Sequence, residues 1–254
     1  MRVALWGAYN TGFFSDDLIA LGIKGEFRKH GIDLFIPPPT KPFEADFCII
    51  GGGTILGTPL KDLQYNGAIG VFGAGYRDGF YLERLKQALF IKVRGPFTQY
   101  QLSKRGYSSE VIGDPIALYE PLFVNPKYDK CFIPRNLTDW RGDGDFDLSV
   151  SFCGEDNNLK VPGRFILPRS ATSAISSVLL CKEVYSARLH PALVAYYAGR
   201  TVHIMEHEFN KVGDALMGLD ITFDLNGHVY TPIRGGCSLK REVAIVADWL
   251  KSRF

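Results

Sequence analysis

The chain is poor in the features that mark several large classes of protein. Its five cysteines, Cys48, Cys131, Cys153, Cys181 and Cys237, are scattered and odd in number, and no two have CxxC spacing. A disulfide framework or zinc site is therefore not expected, and the cysteines read as small buried hydrophobes. Charge of one sign is lacking too: Lys plus Arg number 29 against 27 Asp plus Glu, a formal net charge of +2. Nucleic-acid binding calls for a clear positive excess, so no nucleic acid is expected as a partner. No apolar run approaches the roughly 20 residues needed to cross a bilayer. A secretory leader is not evident either, since residues 1–7 read as a buried strand running into a glycine turn. A cytoplasmic protein is expected, and the sequon Asn136-Leu137-Thr138 then reads as accidental. No repeat or low-complexity segment stands out. With 46% hydrophobic and 22% charged residues, the 254-residue chain is neither disordered nor fibrous, and it can form one large domain or two ordinary ones.

What is present is an alternation. Residues 3–6, 32–36, 47–50, 68–72, 89–93 and 111–112 are short apolar runs, several apolar on both faces. Strands of a parallel sheet covered by helices on two sides have this character. Residues 17–29 and 97–105 have helical spacing, the second opened by Pro96 and closed by Gly106. Pro121, Asn125, Pro126, Pro134 and the Lys-Tyr-Asp-Lys stretch at 127–130 read as a linker, and residues 141–145 as a solvated loop. Beyond them, strands are expected at 148–152, 165–167, 184–187 and 202–205, and helices at 170–180, 192–198, 211–217 and 239–253. The predicted fold class is α/β: two Rossmann-like lobes, residues 1–122 and 123–254, with a cleft between them. The last helix is a candidate to pack back on the first lobe.

In such sheets a ligand sits at the carboxyl ends of the strands. There the first lobe carries Gly7 to Gly12, Gly51-Gly52-Gly53-Thr54, Gly73-Ala74-Gly75, Arg94-Gly95-Pro96 and Gly113-Asp114-Pro115. One glycine turn is ordinary loop chemistry. Five along one edge, with Arg94 among them, point to a crevice for an anionic ligand. In the second lobe Arg188-Leu189-His190 falls where a strand breaks into a helix. Backbone N–H groups at a helix start can hold an anion, a guanidinium can grip it bidentately, and an imidazole can move a proton near neutral pH.

These blocks resemble the polysaccharide pyruvyl transferase family. The resemblance rests on Gly7 to Asp17 with its Asn-x-Gly turn, residues 45–53 ending in the triple glycine, and Val93-Arg94-Gly95-Pro96-Phe97-Thr98 with its helix. It continues through Val111-Ile112-Gly113-Asp114-Pro115 and Ala187-Arg188-Leu189-His190, by way of Ala198-Gly199, to Lys211. Two departures stand out. The family has an acidic residue directly after the Asn-x-Gly turn, where this chain places Phe13-Phe14-Ser15 before Asp16-Asp17, and residues 123–180 match little.

The resemblance implies a GT-B-like fold and transfer of pyruvate from phosphoenolpyruvate to two hydroxyls of one sugar, forming a cyclic ketal. No cofactor or metal is implied. The partners implied are phosphoenolpyruvate and a glycan or lipid-linked oligosaccharide, which allows peripheral association with the inner face of a membrane. It assigns His190 and Arg188 to catalysis, and Arg94, Arg188, Leu189, Lys211, Gly52 and Gly53 to the donor. Asn10, Asp17 and Asp114 are acceptor-side candidates, although Asp114 also reads as a cap on the turn before Pro115. Arg94 and Arg188, one from each lobe, are expected to meet across the cleft. Two other readings stay open: a glycosyltransferase of the same build using a nucleotide-sugar, and a non-catalytic glycan-binding protein.

Several residues have a second use. Tyr65, Tyr76, Phe80 and Tyr81 read as an aromatic core or as a sugar-stacking platform. His203 lies in a Val-His-Ile strand and reads as packed, despite the nearby His207 and Glu208, and His30 and His228 read as surface positions.

Overall fold

The computed structural model describes all residues except 13, 135–144, 154–160, 206–208, 220, 224–228 and 231–235, and the side chains of 209–210, 222–223, 229–230 and 236–238. The sequon at 136–138, most of the 141–145 loop, Phe13, His207, Glu208, His228 and the Cys237 side chain lie outside the described residues.

Seven strands of the first half are β1 (Val3–Trp6), β2 (Leu34–Phe35), β3 (Phe47–Gly51), β4 (Thr54–Leu56), β5 (Ile69–Tyr76), β6 (Ala88–Val93) and β7 (Glu110–Val111). They form one parallel sheet in the order β2-β1-β3-β5-β6-β7, with β4 pairing β5 beyond β3. Burial explains why β1 and β3 are apolar throughout. Val3 and Leu5 of β1 face one core cluster while Ala4 and Trp6 face another, so both sides of the strand leave water. The second half gives β8 (Tyr128–Ile133), β9 (Leu148–Val150), β10 (Arg164–Ile166), β11 (Cys181–Ser186) and β12 (Thr201–Ile204), parallel in the order β10-β9-β8-β11-β12. A short antiparallel pair, β13 (Thr222–Phe223) and β14 (Val229–Tyr230), follows.

Among the described residues, six α-helices cover these sheets: α1 (Phe14–Lys29), α2 (Pro96–Ser103), α3 (Ala171–Val178), α4 (Leu189–Tyr197), α5 (Phe209–Gly218) and α6 (Gly236–Arg253). Two of the starts follow a local rule. Pro96 opens α2, and Ser170 caps α3 through a reciprocal box with Ser173. Helix α1 touches α3, α4 and α6, and its Leu18, Ile19 and Ile23 share one hydrophobic cluster with Ile133, Val150 and Leu193 of the second half. The two sheets are thus joined by continuous apolar packing. Helix α6 returns to the first sheet, where Trp249 packs edge-on against Phe47 and Phe90 with ring centroids at 5.5 and 5.7 Å. Lys92 of β6 holds Glu242 of α6 at 2.6 Å.

Two expectations need correction. The stretch at 127–130 is no linker: it opens β8, the middle strand of the second sheet. Asp129 sits at the exposed start of the strand, paired with Lys182 of neighbouring β11 at 2.7 Å, and burial begins only at Cys131. Likewise β5 does not stop before Gly73-Ala74-Gly75 but runs through them to Tyr76. Among the described residues, no helix is long and apolar enough to cross a membrane.

Candidate active site

A cavity of about 800 Å³ opens where the carboxyl ends of the two sheets face each other. Its walls come from the first sheet (Trp6 and Gly7 after β1, Gly53 to Ile55 after β3, Arg77 after β5) and from Arg188, Leu189 and His190 after β11. Ser15 and Asp16 at the start of α1 and Lys211 of α5 complete them. Strand ends and β4 position the first-sheet groups and Arg188, while Ser15, Asp16, Leu189, His190 and Lys211 belong to helices α1, α4 and α5.

His190 is a buried polar side chain of this wall, only 4% exposed. Its Nδ1 lies 3.5 Å from Asp16 Oδ1 and its Nε2 lies 3.6 Å from Asp114 Oδ2. Nε2 is fully shielded, so the edge of the ring beside the cavity is the Nδ1 edge, next to Asp16. Local chain chemistry fixes the ring. Ser186 at the end of β11 accepts the Arg188 N–H and donates to the Arg188 carbonyl, which turns the chain from strand into helix. Arg188 is then the N-cap of α4, and no side chain among the described residues caps that turn. The N–H groups of Leu189 and His190 therefore start the helix on the cavity wall without partners inside the helix. The Arg188 Nε donates to the Pro134 carbonyl at 3.1 Å, which steadies the guanidinium beside the opening.

Electrostatics separates the two carboxylates. Burial pushes the Asp114 carboxyl up, but His190 and Arg94 outweigh it and hold the group below the usual carboxylate range, helped by the Ile116 N–H at 3.0 Å. Asp16 goes the other way: burial in the cavity wall raises it, and His190 and Lys211 offset only part of the rise. One imidazole thus lies between a carboxylate that stays ionised and a second, 23% exposed, that binds a proton more readily. A raised carboxyl means that the folded state disfavours its ionised form, so stability falls as pH rises through its titration. Asp16→Asn is accordingly expected to raise the melting temperature at pH 7 and to lower turnover in the same preparation. A melting curve beside an activity assay checks both.

Arg94 is not where the sequence suggested. It is 1% exposed and absent from the cavity wall. Its guanidinium lies behind that wall, with Nε on Asp214 Oδ2 at 3.3 Å, Nη1 on Thr54 Oγ1 at 3.2 Å and Asp114 Oδ2 at 3.8 Å. It does not meet Arg188 across the cleft, because two buried carboxylates already claim it. Much of the glycine edge has the same explanation. A Cβ at Gly75 would collide with the Arg94 guanidinium, one at Gly95 with Asp214, and one at Gly73 with Pro115. These glycines make room for the protein's own groups, and of the glycines in the five turns only Gly7 and Gly53 line the cavity.

The remaining candidates divide. Gly53 lines the cavity, whereas Gly52 lies behind it in left-handed backbone (φ 61°), where any Cβ would strike Ile19. Lys211 and Leu189 line the cavity. Asn10 and Asp17 do not: the Asn10 N–H donates to Asp17 Oδ1 at 2.7 Å, so the pair braces the loop that leads into α1. Asp114 is sealed, capping the short helix at 115–118 through Ile116 and holding His190, which removes it from direct acceptor contact. Asp16, Asp62, Arg77 and Thr54 were not singled out from the sequence, nor was Asp214. Arg77 would have followed from placing the end of β5 correctly, and Asp16 from the helical phase of α1, which turns it rather than Asp17 toward His190.

Comparison with known proteins adds the fold alone. No family model and no curated protein sequence matches the chain. Among solved structures, a functionally uncharacterized protein from Klebsiella pneumoniae superposes with a TM-score of 0.58 at 17% identity, over 85% of this chain and 86% of that one.

Proposed function

We propose that the cavity binds phosphoenolpyruvate and transfers its pyruvyl group to two hydroxyls of a sugar, forming a ketal and releasing phosphate. In this reading the two parallel sheets are the lobes of a GT-B-like fold. The enzyme acts in the cytoplasm on a glycan or lipid-linked precursor at the inner membrane face. The observation that supports it best is His190 held between two carboxylates at the open start of α4, beside Arg188 and Lys211. A small dianion needs cationic groups and backbone donors at one end and a proton carrier at the other, and this wall supplies both.

The steps balance as follows. A sugar hydroxyl adds through its oxygen to the enol carbon bearing the phosphate, while a proton is delivered to the methylene carbon, which becomes the methyl group. His190 supplies that proton from its Nδ1 edge, and Asp16 receives the proton lost by the hydroxyl. The C–O bond to phosphate then breaks as the second hydroxyl closes on the same carbon, and its proton leaves with the phosphate. Arg188, Lys211 and the Leu189 and His190 N–H groups hold the carboxylate and phosphate. Asp114 does not touch substrate; it orients the imidazole from behind.

The expected result is that phosphoenolpyruvate stabilises the protein in a melting assay and that inorganic phosphate appears when a sugar diol is added. Arg188→Ala is expected to weaken phosphoenolpyruvate binding by about tenfold or more, equivalent to losing one charge-assisted contact of roughly 1.5–3 kcal/mol. Stabilisation by nucleotide-sugars and none by phosphoenolpyruvate would reject the reading in favour of glycosyl transfer.

A further inference from the structure

With Asp17 engaged by the Asn10 turn and Asp114 sealed, Asp16 can take a proton from the acceptor but no group has yet been assigned to bind its sugar ring. We propose that the loop bearing Phe80 and Tyr81 is a saccharide-binding platform at the cavity mouth, an inference that rests on the reading of the cavity as a pyruvyl-transfer site.

Position is the first argument. Strand β5 ends at Tyr76, and the next residue, Arg77, lines the cavity. Asp78 ties the loop to the same rim: its Oδ1 accepts the Thr58 N–H at 2.8 Å, next to wall residue Pro59, and the Phe80 N–H at 3.0 Å. A Cβ at Gly57 would run into Asp78, so glycine is what allows the two segments to touch.

Presentation is the second. Phe80 is 67% exposed and the next residue, Tyr81, 44% exposed, so two consecutive large aromatic side chains are left to water. Tyr81 has φ 57°, a left-handed conformation that a bulky residue keeps only when its surroundings impose it and that collects at binding sites. The other two aromatics of the group are used internally. Tyr65 is buried and stacks on Phe43 at 5.0 Å, and Tyr76 meets Phe97 edge-on and carries the Arg105 guanidinium over its ring.

The surrounding charge selects the occupant. Asp62 and Arg77 line the cavity, Asp78 lies 4.0 Å from the Arg77 Nε within the loop, Arg84 is turned to the Tyr65 carbonyl and the Arg105 guanidinium lies beside Gly79. Interleaved carboxylates and a guanidinium suit sugar hydroxyls, with the rings taking the C–H face of a pyranose. An anionic bilayer calls for an unbroken basic face, and Asp62 and Asp78 interrupt the one that Arg77 and Arg105 would make.

The test compares the wild-type protein with a Phe80→Ala/Tyr81→Gly double variant, in which glycine also accepts the left-handed backbone. Saturation-transfer NMR and titration use the methyl glycosides of galactose, glucose and mannose, and melting with phosphoenolpyruvate is run in parallel. At least one glycoside is expected to bind the wild type, with affinity at least about tenfold lower in the variant and phosphoenolpyruvate stabilisation unchanged. Three outcomes overturn the platform: no glycoside binding at millimolar concentration, equal glycoside affinity in both proteins, or loss only of co-sedimentation with phosphatidylglycerol vesicles. Glycoside binding lost in the variant, together with no phosphoenolpyruvate effect on either protein, would uphold the platform and reject pyruvyl transfer.

Discussion

Replacing His190 by glutamine is expected to cut phosphate release from phosphoenolpyruvate plus sugar by about 10²–10⁴-fold, the range that one positioned acid–base group supplies. The change keeps the side chain's bulk in a site with 4% exposure, so the fold should survive. Phosphoenolpyruvate should still raise the melting temperature, because Arg188, Lys211 and the start of α4 are untouched. Unchanged turnover would remove His190 from the chemistry. The variant also carries a pH signature. Asp114 lies below the usual carboxylate range through His190 and Arg94, so it contributes stability above its unfolded pKa that is lost as pH falls through the folded one. Glutamine removes the first of those partners. The Asp114 carboxyl should rise toward its ordinary value, and acid unfolding should begin at a higher pH than in the wild type. Coincident acid limbs in the two proteins would show that the imidazole does not support Asp114.

Removing the Asp214 carboxylate should be the most damaging single change outside the cavity. Asp214 belongs to α5, in the second half of the chain, yet its oxygens accept from the first: Arg94 Nε at 3.3 Å, the Thr98 N–H at 3.0 Å and the Thr98 hydroxyl at 2.5 Å. Both Arg94 and Asp214 have 1% exposure, so water cannot replace either partner. Breaking a buried pair strands a charge, and Asp214→Ala is expected to cost about 3–5 kcal/mol in urea unfolding. Asp114, at 3.8 Å, and Thr54 cannot make up the loss. An Arg94→Met/Asp214→Leu double variant should be less destabilised than Asp214→Ala, since it removes both members of the pair and leaves Asp114 to His190 and the Ile116 N–H. A double variant as unstable as the sum of its single changes would show that the pair is not coupled.

How far these features could be read from sequence depends on how local their causes are. Strands β1 and β3 were legible because burial on both faces leaves no polar residue to confuse the pattern. Strand β8 was not, since its first residues, Tyr128 to Lys130, lie at the rim and carry charge, and only its second half is covered. Arg188-Leu189-His190 could be placed because a strand end, a helix start and Pro191 fall within a few residues. The destination of Arg94 could not be found that way. A guanidinium after a strand looks the same in sequence whether it reaches a ligand or a carboxylate 120 residues further on. Asp16 and Asp17 differ by one helical step, which alone decides that one faces the imidazole and the other the Asn10 loop. The resemblance to pyruvyl transferases named residues that the fold does bring to one cavity, Arg188, Leu189, His190 and Lys211, but it also placed Arg94 there, which the packing buries against carboxylates.

The seating of Asp214 among first-lobe donors bears on how the molecule can be divided. Severed in the segment before β8 and produced as separate pieces, the amino-terminal portion would expose a cation one of whose two carboxylate partners is encoded elsewhere, and the carboxyl-terminal portion would expose that carboxylate alone. Reconstitution from such fragments should therefore need both together during refolding. A permuted chain, by contrast, should tolerate new termini wherever this ionic keystone is left whole.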